Sequence, residues 1–181
     1  MTVFVALLRA INVGKRQMPM AELRKLCEEI GFARPETYIA SGNLIFDADG
    51  TAEKVRDTLE EACSTRFGFK VEIIICPAKA WAALRDANPF AGDPKAISKM
   101  VHLAMPREAL KPGAVETIAG KAADGERVRA AGGALWIDYG ENGVGQSKIT
   151  PGLIDKAAGC PVTGRNWNTV LKLQDMIGTR K

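Results

Sequence analysis

The stretches VFVALL, residues 3–8, and TYIASGNLIF, residues 37–46, decide the fold of this chain. The first is an unbroken apolar run, which is typical of a strand buried on both faces. The second contains two short strands around Ser41-Gly42-Asn43, a glycine-containing hairpin turn. Between them, apolar residues recur at helical spacing from Pro19, which opens a helix, to Gly31, which ends it.

The rest of the chain extends this pattern into two α+β halves. A helix over residues 51–67 and a β-branched strand over 71–76 complete a β-α-β-β-α-β order, the split ferredoxin-like arrangement. The breaker-rich segment NPFAGDP, residues 88–94, is the predicted linker. After it the order recurs more loosely, as a strand at 100–105, an interrupted helix at 107–123, a hairpin at 127–139, a helix at 151–158, an extended piece near 161–162 and a last helix at 164–177. We therefore predict an α+β fold of two ferredoxin-like subdomains, residues 1–90 and residues 91–181, the second looser and with an extra C-terminal helix.

The composition is that of a globular protein. Of the 181 residues, 46% are apolar and 25% are charged, which excludes disordered, collagen-like and coiled-coil chains. No apolar run approaches the roughly 20 residues that span a bilayer, and the basic residues follow the N-terminal apolar run, the reverse of a secretory signal. The four cysteines are too widely spaced for a zinc site. We expect reduced thiols, a cytoplasmic location, no membrane partner and no metal.

The positive charge is concentrated near the C-terminus. The net charge is +4, and residues 142–181 alone carry six basic and two acidic side chains. A local basic surface attracts phosphate, nucleotides, nucleic acid or an acidic partner. A solvated basic tail explains the same counts, and charge alone does not decide between the two interpretations.

The first group of candidate residues lies in the loop 9–17, between the first strand and the first helix. A helix N-terminus favours an anion, and Arg9, Lys15 and Arg16 add positive charge. In a split β-α-β-β-α-β unit the first two strands run parallel, so this loop and the turn 41–43 share one edge of the sheet. Arg9, Asn12, Lys15, Ser41 and Asn43 are then expected to converge on one ligand. The alternative is a polar loop beside a tight turn, each satisfying its own backbone.

The second group is GVGQSKIT, residues 143–150, just before a helix. Glycines ahead of a helix, with Ser147 and Lys148, suggest a phosphate cradle, although the spacing is not that of a P-loop. The alternative is a flexible connection in which Thr150 caps the helix and Pro151 begins it.

The third group is a polar stripe on the predicted last helix. Its members stand at i, i+3, i+4 and i+7, and they are Arg165, Asn168, Thr169 and Lys172. A docked helix would present these side chains together to a phosphate or carboxylate. The alternative is an ordinary surface helix that Trp167 anchors in the core.

Four separated segments resemble a known family. They are FVALLRAINVGKRQMPMAELRKLCEEIGF at 4–32, TYIASGNLIF at 37–46, GVGQSKIT at 143–150 and RNWNTVLKL at 165–173. In this order they resemble the uncharacterised family called domain of unknown function 1697. The chain departs from the family pattern at Ala10 and Lys15, where glycine is usual, at Ala40, where glutamine is usual, and at Gly164, where threonine is usual. The resemblance implies an α+β protein of two similar subdomains and implies no established reaction, substrate or cofactor.

The segments of the resemblance coincide with the polar loops, so both point to the same ligand-binding candidates. These are Arg9, Asn12, Gly14, Ser41, Gly42, Asn43, Ser147, Lys148, Arg165, Asn168, Thr169 and Lys172. The set holds no carboxylate, histidine or cysteine, which general acid–base catalysis and divalent metals usually require. We therefore predict binding of a phosphate-bearing ligand, namely a nucleotide, a nucleic acid or a phosphorylated metabolite, without a cofactor.

Two alternatives stay open. One is an enzyme that acts on a small molecule through Lys148 or Lys172, with an arginine that clamps an anion. The other is a protein-interaction module whose motif residues are structural. Neither the reaction nor the oligomeric state follows from the sequence.

Overall fold

The computed structural model describes residues 1–180, which form two compact units. The first contains Met1–Trp81 and the C-terminal residues from Asp175 onward, and the second contains Ala82–Gln174. The domain boundary after residue 90 stays a prediction. None of the helices in residues 1–180 has both the length and the apolar character that a membrane crossing demands.

The strands and helices follow the predicted order in both halves. From the N-terminus they are β1 (Thr2–Leu8), α1 (Met20–Glu29), β2 (Ala33–Tyr38), β3 (Asn43–Ala48), α2 (Ala52–Phe67), β4 (Ile73–Pro77) and α3 (Ala78–Asp86). The chain continues through β5 (Val101–Pro106), α4 (Ala114–Ala119), β6 (Arg127–Ala131), β7 (Ala134–Asp138), a 3-10 turn (Val144–Gln146), α5 (Pro151–Ala158), β8 (Val162–Asn166) and α6 (Trp167–Gly178).

The first sheet has the strand order β2-β3-β1-β4, with β1 antiparallel to both of its neighbours. Alternate residues of β1, such as Phe4 and Leu8, pack with the apolar faces of α1 and α2 in one core cluster. Val5 and Leu7 between them are also buried, which confirms the prediction from the unbroken apolar run. The pairing of Leu7 with Asn43 places the end of β1 beside the start of β3.

The second sheet has the equivalent order β6-β7-β5-β8. One of its faces packs with α4 and α5 around Ala104, Leu135, Ile137 and Ile154. The predicted α+β fold with two ferredoxin-like orders and a C-terminal helix is therefore confirmed.

Two helix predictions are wrong in their extent. The stretch 107–123 contains only the short α4, because Pro112 cannot donate a backbone hydrogen bond and Gly113 takes a left-handed φ of 80°. The last helix begins at Trp167 and not at residue 164, because Gly164 and Arg165 pair with β5 as part of β8. Asn166 then starts α6, since its Oδ1 accepts a hydrogen bond from the Thr169 amide at 2.9 Å.

Candidate functional site

The loop 9–17 and the turn 39–42 meet at one edge of the first sheet, as the strand order predicts. The Leu8 amide donates to the Gly42 carbonyl at 2.8 Å, and Asn12 Nδ2 donates to the Ala40 carbonyl at 2.8 Å. Gly42 packs so closely that an added Cβ would lie 2.8 Å from both Ile11 Cδ1 and Leu8 Cβ. The two segments therefore form one tightly packed structure.

Asn12 and Asn43 use their side chains to hold this structure together. Asn12 Nδ2 also donates to the Met18 carbonyl at 3.0 Å, and its Oδ1 accepts from the Met18 amide at 2.7 Å. Asn43 is fully buried, and its Nδ2 donates to the Tyr38 carbonyl at 2.9 Å and to Ser41 Oγ at 3.2 Å. These contacts give both asparagines a structural role.

The backbone of loop 9–17 turns through several left-handed residues. Ala10, Asn12 and Gly14 have φ values of 50°, 53° and 56°. Such a conformation costs an alanine roughly 1–2 kcal/mol. Clustered backbone strain is a feature of functional loops.

A basic cleft opens beside this loop. It has a volume of about 340 Å³ and is lined by Arg9, Ala10, Arg16, Lys70 and Glu72. Arg9 Nη1 donates to Glu72 Oε2 at 2.8 Å. The cleft therefore combines three cationic side chains with one carboxylate.

The two arginines of the basic cleft are held in place by contacts with the fold. The Arg9 amide donates to the Glu72 carbonyl at 2.9 Å, in addition to the ion pair between the side chains. Arg16 donates through Nη2 to the Lys70 carbonyl, and its guanidinium lies 5.0 Å from the centre of the Phe69 ring. Restrained donors lose less conformational entropy when they bind a ligand.

The sequence-based candidates include only one of the four charged residues that line this cleft, Arg9. Arg16 was in the predicted loop but not among the candidates, and Lys70 and Glu72 were not considered. The order of strands could have indicated Lys70 and Glu72, because a ferredoxin-like order places the fourth strand beside the first. Residues just before β4 must then lie beside residues just after β1.

The second group, residues 143–150, forms a turn followed by a helix cap. The amides of Gln146 and Ser147 donate to the carbonyls of Gly143 and Val144, both at 3.3 Å. Ser147 Oγ accepts from the Ile149 amide at 3.0 Å, and Thr150 Oγ1 accepts from the Leu153 amide at 3.3 Å. The backbone donors in these contacts are engaged within the loop, and Lys148 projects as an exposed side chain. This geometry favours the helix-cap interpretation.

The third group does not form one polar stripe, because Arg165 belongs to β8. Its guanidinium donates to Thr163 Oγ1 at 3.0 Å and to the Gly164 carbonyl at 2.8 Å. Burial lowers the pKa of Arg165 to about 10, so the side chain stays charged at neutral pH. Thr169 is also buried, whereas Asn168 and Lys172 are exposed on α6. The structure therefore separates the four predicted residues into buried and exposed pairs.

The C-terminal excess of positive charge is also partly internal. The Arg180 side chain is only 3% exposed and lies within the first unit. It donates to Glu36 Oε1 at 2.6 Å and to the Arg34 carbonyl. Because the side chains of Arg165 and Arg180 are both buried, the basic residues between positions 142 and 180 do not form one exposed surface.

The comparison with known proteins now assigns the family. The model of the family described as "Protein of unknown function (DUF1697)" matches residues 1–136. This chain belongs to the DUF1697 family. The match includes the loop 9–17, the turn 41–43 and the whole basic cleft, while the second and third groups lie beyond its end.

A solved structure has the same fold as this DUF1697 member. It is titled "The structure of conserved bacterial protein SP0830 from Streptococcus pneumoniae". The likeness covers 98% of this chain and 99% of the other, with a TM-score of 0.75 and 21% sequence identity. No curated protein matches the chain at the level that identifies a relative. At this identity the likeness shows the fold alone.

Proposed function

We propose that the basic cleft binds a phosphate-bearing small molecule. The observation that supports this function best is the lining itself: Arg9, Arg16 and Lys70 surround about 340 Å³, with Glu72 as the one carboxylate among the lining residues. An Arg guanidinium can bind phosphate through two parallel hydrogen bonds, and an ammonium adds a point charge.

The two arginines and the lysine have different roles in this proposal. Arg9 forms an ion pair with Glu72, and its guanidinium has the planar fork of donors that matches phosphate geometry. Arg16, restrained by Phe69 and the Lys70 carbonyl, lies on the same cleft. Lys70 is exposed and attracts the anion from solvent.

A small molecule fits this cleft better than a nucleic acid. The volume lies at the lower end of the roughly 300–1,000 Å³ of small-molecule sites. A nucleic acid would require a longer basic surface, and the chain has few aromatic residues, 6%, on which bases could stack.

The experiment is isothermal titration with pyrophosphate and with mononucleotides at low salt. Arg9→Gln removes a charge-assisted bond worth about 1.5–3 kcal/mol, so affinity should fall at least tenfold. Glu72→Gln removes the one carboxylate and should raise affinity several-fold. Lys54→Gln is the matched control, because Lys54 is an exposed lysine on α2 that does not line the cleft. Binding that Arg9→Gln leaves unchanged, or that Lys54→Gln weakens equally, would refute the proposal, as would tighter binding to oligonucleotides than to mononucleotides.

A second candidate is that the motif residues are structural and the function lies in an interaction surface. The hydrogen bonds of Asn12 and Asn43 favour it. In that case Asn12→Ala lowers the melting temperature, and no variant of the cleft changes the affinity for any phosphate compound.

The alternative of lysine chemistry finds less support. A catalytic lysine needs a pKa lowered by burial or by neighbouring charge, and both Lys148 and Lys172 are exposed. A cytoplasmic location remains part of the proposal and is supported by the thiols. All four cysteines are free and buried, and burial raises the pKa values of Cys27, Cys63 and Cys76 to about 12.

A further inference from the structure

A second cavity, separate from the basic cleft, lies within the second unit. Its volume is about 250 Å³, and it is lined by His102, Ala104, Tyr139, Val144, Pro151, Ile154, Val162 and Gly164. Strands β5 and β8 form its floor, α5 forms one wall, and the 3-10 turn of the segment 143–150 contributes Val144 to the rim. That segment therefore takes part in an apolar cavity.

The cavity exists because two of the smallest residues are neighbours on adjacent strands. Ala104 on β5 pairs directly with Gly164 on β8, so a side chain at position 164 would lie on the same face of the sheet as the Ala104 methyl group. A Cβ added to Gly164 would meet only His102 Nδ1, at 3.8 Å. Larger side chains at this pair would fill the space that the fold leaves open.

The lining is apolar except at one end. Ala104, Ile154 and Val162 are buried, and the eight described lining residues include no carboxylate, lysine or arginine. An ionised ligand would lose its hydration here without a compensating partner. An uncharged ligand is therefore favoured.

The polar end consists of two rings, His102 and Tyr139. The rings meet edge to face, with their centroids 5.0 Å apart at 78°. Burial and the nearby charge of Arg165 lower the pKa of His102, while a hydrogen bond to the Lys99 backbone opposes that shift. A neutral imidazole has one donor and one acceptor, and because the Lys99 carbonyl engages the donor, the acceptor nitrogen is the group that a ligand can use.

The volume sets the size of the occupant. An engineered cavity of about 150 Å³ lined by Leu, Ile and Phe holds benzene. A cavity of about 250 Å³ has room for one or two fused rings with a polar substituent.

We propose that this cavity binds a small uncharged aromatic molecule, whose ring lies against Ala104, Ile154 and Val162 and whose hydroxyl or ring N–H group hydrogen-bonds to His102. The exposed residues Val144 and Pro151 mark the mouth through which it enters. The proposal does not depend on the basic cleft, because the cavity lies in the other unit and shares no residue with it.

His102 is the only histidine of the chain, so its Hε1 proton gives a single, unambiguous NMR signal at the site. The probes are phenol and indole, with benzoate as a charged comparator of similar size. Phenol and indole should shift the Hε1 signal saturably at neutral pH, and benzoate should bind at least tenfold more weakly. Nuclear Overhauser contacts between the probe ring and the methyl groups of Val162 and Ile154 should locate it.

Gly164→Val fills the floor of the cavity and should weaken phenol binding at least tenfold. Its backbone needs no left-handed φ, so valine is tolerated there. Gly178→Val is the control, because nothing lies within 4 Å of a Cβ at that exposed site at the end of α6. If Gly164→Val fails to fold, Ala104→Val fills the same space from the neighbouring strand, and the Overhauser contacts in the unmodified protein still decide the question.

Three results of the binding measurements would overturn the proposal. They are no saturable Hε1 shift up to the solubility limit of phenol and indole, equal binding of benzoate, and binding that the cavity-filling variants leave unchanged. Contacts from the probe to residues other than those of the cavity would have the same consequence.

Discussion

Replacing Gly42 by alanine should destabilise the protein far more than the same change at Gly14. Both glycines have a left-handed backbone, with φ values of 86° and 56°, and both were predicted to bind a ligand. Their surroundings differ. An added Cβ meets nothing within 4 Å at Gly14, but at Gly42 it lies 2.8 Å from Leu8 Cβ and from Ile11 Cδ1.

The magnitude has two parts. A left-handed alanine costs roughly 1–2 kcal/mol at either site. At Gly42 the clash adds about 1–3 kcal/mol of overpacking, because Leu8 is fully buried and its Cβ is fixed by strand β1. Ile11 can move its terminal methyl, but Leu8 cannot move without its strand. We expect a loss of about 2–5 kcal/mol for Gly42→Ala and about 1–2 kcal/mol for Gly14→Ala.

The assay compares thermal unfolding of the two variants by circular dichroism. For a chain of this size each kcal/mol lowers the melting temperature by roughly 2–4 °C, so Gly42→Ala should melt roughly 2–12 °C below Gly14→Ala. The Leu8 amide, which donates to the Gly42 carbonyl at 2.8 Å, should also exchange its hydrogen faster in Gly42→Ala. Equal melting temperatures would refute the packing argument.

Two further predictions concern buried ionisable side chains. Arg180→Ala removes a nearly buried guanidinium that donates to Glu36 and to the Arg34 carbonyl, so the free energy of unfolding should fall by about 1.5–3 kcal/mol. Arg56→Ala breaks a surface ion pair with the exposed Asp57 and should cost at most about 1 kcal/mol in the same urea titration. Burial lowers the pKa of His102 in the folded state below 6.5. Below pH 6.5 the unfolded state therefore binds more protons than the folded state. The free energy of unfolding should decline as the pH falls from 6.5 through the folded-state pKa. An NMR titration of the Hε1 signal measures that pKa, and His102→Gln should remove this part of the pH dependence. A folded-state pKa at or above 6.5 would contradict the predicted loss of stability.

Local signals in the sequence determined most of the secondary structure. The apolar run at 3–8 made β1 a buried strand, and the helical spacing after Pro19 made α1 a helix with one apolar face. Thr51 and Thr150 cap α2 and α5 through their own side chains. These features depend on residues that are close together in the sequence, so the sequence alone predicts them.

The strand order is also readable from the sequence, and it predicted that loop 9–17 would meet the turn 41–43. The prediction failed for Arg165, where a helical spacing was read through a segment that belongs to a strand. Pairing of β8 with β5 satisfies the backbone of Gly164 and Arg165, and this long-range contact overrides the local pattern.

The strand order indicated which segments are neighbours, but the tertiary structure decided which side chains share a cavity. Glu72 lies 63 residues after Arg9, and only the pairing of β4 with β1 brings the two together in the basic cleft. Likewise, the register of β5 against β8 places Ala104 opposite Gly164 and leaves the apolar cavity beside His102. The sequence specifies these residues, but a cleft is defined by distances between segments remote along the chain, and those distances exist only once the sheets have formed.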